Sequence, residues 1–74
     1  MNDELALIKF GARLKELRID KQLTQKFVAE KLGIPISTYA NWEQGRRQPG
    51  IIEIYNIIEC LEIEANDLFD IENI

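Results

Sequence analysis

Histidine is absent from the 74 residues, and cysteine occurs once, at Cys60. Without an imidazole there is no His-based acid–base or nucleophile-activating chemistry, and with one thiol there is neither a zinc-finger ligand set nor an internal disulfide. No catalytic residue, metal site or cofactor is expected, and the chain does not read as an enzyme. No apolar run exceeds four residues (Leu5 to Ile8), against the roughly 18–20 that a bilayer demands, so no membrane partner is expected. Acidic Asp3 and Glu4 stand where a signal peptide carries bases. That absence and the lack of a disulfide framework predict a cytoplasmic protein. Glycine and proline are scarce, four and two residues, while 46% of the chain is hydrophobic and 30% charged. This composition suits one small globular domain.

Basic residues are missing from both ends. Residues 1–8 carry two acids and no base, and residues 49–74 carry seven acids and no base. All nine Lys and Arg lie in residues 9–48 with only Glu16, Asp20, Glu30 and Glu43 against them, a local charge of +5. The overall charge of −4 therefore does not argue against a polyanionic partner, because screening over about 8 Å makes local charge decisive. An uneven solvated surface is the plainer meaning of the same segregation.

What is present has the period of helices. Asp3 and Glu4 favour a helix start, and Leu7, Phe10, Leu14 and Leu17 recur at three- and four-residue intervals, predicting a first helix to about Asp20. Thr24 is a suitable N-cap for a second helix with Val28, Ala29 and Leu32 inward and Gly33 as its left-handed stop. Pro35 restarts the chain with helical φ, predicting a third helix over 35–44. Tyr39, Trp42 and Glu43 share one face of it and Ser37, Asn41 and Gln44 the other; Gly45 ends it. A breaker-rich basic loop follows, then a fourth helix with Ile51, Ile54, Ile57, Ile58 and Leu61 inward and a short fifth near 65–69. Tyr39, Trp42, Phe69 and Cys60 are read as core. The fold class is all-α, five short helices.

The turn between the second and third helices carries more. Small Ala29 permits a close crossing, Gly33 makes the reversal, and Ile34 plugs the angle between the helices, which is the physical content of a helix-turn-helix. With Arg13-Leu14-Lys15-Glu16-Leu17-Arg18, Leu23-Thr24-Gln25, Ser37-Thr38-Tyr39, Trp42 to Arg47, Pro49 and Asp67-Leu68-Phe69, the chain resembles the Cro/repressor (XRE-like) family of bacterial and phage transcription regulators. The resemblance covers residues 10–69, with the motif at 24–43, residues 1–9 extending helix 1, and 70–74 a short acidic and apolar tail. It implies a lambda-repressor-like DNA-binding domain working in the bacterial nucleoid.

The resemblance also assigns roles. The third helix would lie in the major groove with Ile36, Ser37, Asn41 and Gln44 at base edges, where Asn bonds adenine and an aliphatic side chain meets a thymine methyl. Thr24, Gln25, Thr38, Arg46 and Arg47 would hold phosphates. Arg18 and Glu43 would form a buried ion pair joining the first and third helices. Three positions depart from the family pattern: Ile36 is apolar where a polar residue is frequent, Pro35 lacks a capping side chain, and Glu62 stands where a helix-ending Gly is common. Double-stranded DNA, bound as a homodimer on a pseudo-palindromic operator by a repressor, is the expected partner. Ile52, Tyr55, Ile71 and Ile74 are the expected dimer surface. Two alternatives stay open: a module, with exposed Phe27, for a protein partner such as a toxin or antirepressor, and the N-terminal part of a longer repressor.

Overall fold

The computed structural model of the chain describes residues 3–69. Their elements are α1 (Asp3–Asp20), α2 (Gln25–Leu32), α3 (Ile36–Glu43), α4 (Ile51–Leu61) and α5 (Ala65–Phe69), with no strand among the described residues. Asp3 and Glu4 in the first turn of α1 and Arg18 in its last complement the helix dipole. The chain then reverses through Gln22, a non-glycine residue at φ 60°. Its amide donates to the Ile19 carbonyl at 2.8 Å, and Leu23 reaches back to the Arg18 carbonyl at 3.2 Å.

Thr24 caps α2 as its sequence position predicts, its hydroxyl accepting from the Phe27 amide at 3.0 Å. Gly33 closes the helix at φ 71°, and the Ile34 amide returns to the Ala29 carbonyl at 3.0 Å. α3 runs one residue shorter at each end than its period suggests. Pro35 is its N-cap, extended at ψ 145° and without a side-chain hydrogen bond, and Gln44 its C-cap. Gly50 opens α4, its amide held by Glu53 Oε1 at 2.6 Å.

One core joins all five helices: Leu14 and Leu17 of α1, Val28 and Ala29 of α2, Tyr39 and Trp42 of α3, Ile57 and Leu61 of α4, and Leu68 of α5. Ile34, Leu32 and Cys60 pack against its edge. Tyr39 meets Trp42 edge to face, ring centroids 6.0 Å apart. Two residues assigned to the core by period lie outside it. Ile51 is 66% exposed, because it opens α4 a full turn before the inner stripe reaches the core. Phe69 stacks on Phe10 at 5.8 Å yet remains 43% exposed at the end of α5, so it covers an edge rather than filling the interior.

Gly11 is the contact that spacing did not disclose. It is buried in mid-α1, and a Cβ there would overlap the carbonyl oxygens of Trp42 and Glu43. α3 therefore lies with its last turn directly on the α1 backbone, an approach that only glycine admits.

Candidate nucleic-acid interface

The carboxylate of Glu43, at the end of α3, is buried and joined to α2 of the motif and to α1 before it. Arg18 grips it with two nitrogens, Nε to Oε2 at 2.6 Å and Nη2 to Oε1 at 3.1 Å. The third guanidinium nitrogen, Nη1, donates to the Leu23 carbonyl at 2.7 Å, tying the α1–α2 turn to the same cation. Gln25, the first residue of α2, donates its Nε2 to Glu43 Oε1 at 3.0 Å. Charge-assisted bonds in such a site are stronger and more directional than neutral ones. They fix how α3 sits against α1 and α2.

The protonation states follow from these contacts. Burial alone would push the Glu43 carboxyl up, but the hydrogen bond from Arg18, with further bonding and the guanidinium charge, holds it below the ordinary carboxylate range. The Glu43 hydrogen bond foremost, against some desolvation, raises the Arg18 pKa. The Tyr39 hydroxyl is buried beside this pair without completing a hydrogen bond of good geometry. Burial first and the Glu43 carboxylate next raise its pKa, so it stays a neutral phenol. Burial likewise raises the Cys60 thiol, with Lys31 opposing. It is a packing group rather than a reactive thiolate.

Outward from this pair, α3 turns its polar side to solvent. Ile36 (48% exposed), Ser37 and Gln44 are exposed, and Asn41 is half-buried beside them. Thr38 is half-buried and Thr24 exposed at the two helix starts. Arg46 and Arg47 are exposed just past α3, where both amides fold back on the Asn41 carbonyl at 3.0 and 3.3 Å. Gly45 at φ 75° permits this fold-back, which keeps the two cations beside the exposed end of α3. The ends of α2 and α3, the outer face of α3 and the two arginines thus come together on one side. Gln25 belongs to that group, but its amide is engaged with Glu43, a tie that no sequence spacing signals. Ile52 and Tyr55 lie elsewhere, 65% and 66% exposed on the outer face of α4. Ile71 and Ile74 lie outside the described residues. Among the described residues no group of His, Cys, Asp and Glu is arranged to hold a metal ion. None of the described helices is long and apolar enough to cross a membrane.

Two helices joined by the Gly33 turn, with small Ala29 buried in the first and the second bound by its last residue to the helix before the motif, define a helix-turn-helix domain. Residues 14–68 match the helix-turn-helix family, and the chain belongs to it. Its relatives are named regulators. The control protein C.MunI of Mycoplasma sp. is 35% identical over 74 residues, spanning 97% of this chain and 97% of that protein. The uncharacterized HTH-type transcriptional regulator YqaE of Bacillus subtilis (strain 168) is 37% identical over 59 residues, 80% of this chain. The chain spans about half the length of that regulator, 51%. Among solved structures, the restriction-modification controller protein C.AhdI from Aeromonas hydrophila superposes with a TM-score of 0.80 at 38% identity, over 85% of this chain and 96% of that one.

Proposed function

We propose that this chain is a transcriptional regulator that binds a specific duplex DNA sequence through the outer face of α3, as a homodimer on a pseudo-palindromic site. The observation that carries this is the exposed polar and aliphatic face of α3, seated by a buried ion pair and flanked by Arg46 and Arg47. Asn41 and Ser37 supply hydrogen bonds to base edges, Gln44 a further amide, and Ile36 an apolar contact suited to a thymine methyl. Thr24, Gln25, Thr38, Arg46 and Arg47 hold phosphates and set register without reading sequence.

The dimer pairs the outer faces of α4 through Ile52 and Tyr55. It sets two recognition helices about 34 Å apart, one turn of DNA. Repression is the expected sign of control, since a protein on an operator excludes other proteins from it. The matches to C.MunI and C.AhdI run over nearly the whole of those two proteins. They support a narrower role, control of the genes of a restriction-modification system.

Selection of bound duplexes from a random pool, with Asn41→Ala run alongside, tests the proposal. Enrichment of an inverted repeat with half-sites about ten base pairs apart, blurred at one base of each half-site in the variant, is expected. Log affinity should then fall with log salt at a slope near −5 for about six neutralised phosphates. Absence of any enriched sequence, with a flat salt response, would overturn it and leave a protein partner as the ligand.

A further inference from the structure

We propose that Glu43 is the positioning residue for the phosphate contact of Gln25, so that one buried carboxylate sets both the seat of the recognition helix and the polarity of a backbone-gripping side chain. This rests on the DNA-binding role proposed above. The outer end of a glutamine side chain has two different edges, a carbonyl oxygen that only accepts and a nitrogen that carries two donors. A phosphate accepts only from the nitrogen. A glutamine at an open helix start has no intrinsic reason to present that edge.

Here the choice is made from within. Glu43 is held below the ordinary carboxylate range, so at neutral pH it is an ion that can only accept. Gln25 must therefore turn its nitrogen toward it, and does so at 3.0 Å. One N–H is thereby engaged and the carbonyl oxygen is directed away from the carboxylate. The second N–H of the same nitrogen diverges from the first in the amide plane and remains available to an anion. Glu43 is not itself a free rotor, because Arg18 grips both of its oxygens. The amide stands at the first residue of α2, next to the Thr24 cap, where the helix end favours negative charge. The ion pair thus does more than join α1 to α3. A shift of α3 carries Glu43 with it and turns the Gln25 amide, so base reading and phosphate gripping share one mechanical origin.

The test uses the full chain, labelled with nitrogen-15, and the duplex obtained from the random-pool selection. Gln25→Ala, which leaves the Arg18–Glu43 pair intact, identifies the two side-chain amide signals. On adding duplex, the two geminal protons, which share one nitrogen, should shift unequally in the proton dimension, the outward one by more than the one facing Glu43. In parallel, each phosphate is replaced singly by an uncharged methylphosphonate. The wild-type chain should lose about tenfold in affinity at one such position in each half-site. Gln25→Ala and Glu43→Met, which keeps the length of the side chain but offers Gln25 no oxygen, should show no loss there, while both keep the losses at phosphates held by Arg46 and Arg47. If Glu43→Met does not melt cooperatively, the two N–H signals of the wild-type chain decide alone. Specific duplex binding with both Gln25 protons unmoved, or displaced equally in the proton dimension, overturns the positioning role and leaves the DNA-binding role standing. So does a folded Glu43→Met that retains the full penalty. Binding to no duplex at all overturns both.

Discussion

The outer faces of α3 and α4 are both open to solvent, but they are backed differently. Behind α3, buried Tyr39 and Trp42 are joined by directional contacts: Arg18 on Glu43, Gln25 on the same carboxylate, and the Trp42 and Glu43 carbonyls pressed on Gly11. α4 is held by apolar burial, with Ile57 and Leu61 inside and Ile51, Ile52 and Tyr55 outside. Apolar contact is non-directional and tolerates small shifts, whereas a two-pronged guanidinium–carboxylate pair does not. A helix that reads hydrogen-bonding edges needs a fixed angle. A helix that offers aliphatic surface to a second copy needs only area. Each face has the backing its task requires.

The comparison can be broken most decisively behind α3. Arg18→Ala leaves Glu43 buried without its cation and should cost about 3–5 kcal/mol, most of the stability of a domain this size. Urea unfolding monitored by Trp42 fluorescence measures it. The pH dependence should change as well. In the wild type the Glu43 carboxyl is lowered in the folded state, so its contribution is complete above the ordinary carboxylate value and is lost as pH falls from there through the lowered folded-state value. In Arg18→Ala burial is left to raise that carboxyl, and the loss on acidification below about pH 4.5 should flatten or reverse.

Ile52→Asp breaks the comparison on the other side. The residue is 65% exposed, so folding stability should change by less than about 0.5 kcal/mol. A charge in a pairing face should nevertheless weaken self-association by about 2 kcal/mol, read by sedimentation across a concentration series. An unchanged dimer would place the pairing surface away from α4.

The smallest effect sharpens the contrast within α4 itself. Glu62 closes the helix at φ 54°, a left-handed conformation that costs a side-chain-bearing residue on the order of 1 kcal/mol. Glu62→Gly should raise stability by about 0.5–1 kcal/mol in the same urea assay, with no effect on DNA affinity.

Much of this was written along the chain. Thr24, Gly33, Ile34 and Gly45 act locally, through caps and positive φ, so their positions announce α2, the turn and the end of α3. The Arg18–Glu43 pair, 25 residues apart, came from the family resemblance, since nothing in local spacing connects those positions. Gly11 was legible only as an oddity, a glycine in mid-helix, whose reason is the carbonyl oxygens of another helix. Ile51 and Phe69 were misplaced because a helical period gives the direction of a side chain but not where along the axis its neighbours stop.

By itself, then, the sequence determined the helices, their stops, the basic middle and the acidic end, because capping, backbone φ and periodicity act over three or four residues. Only the tertiary structure decided which apolar residues are covered, that α3 rests on the α1 backbone at Gly11, and that Gln25 gives its amide to Glu43. Those outcomes depend on distances between segments brought together by folding, and on a buried carboxylate whose charge must be answered by whichever donors arrive beside it.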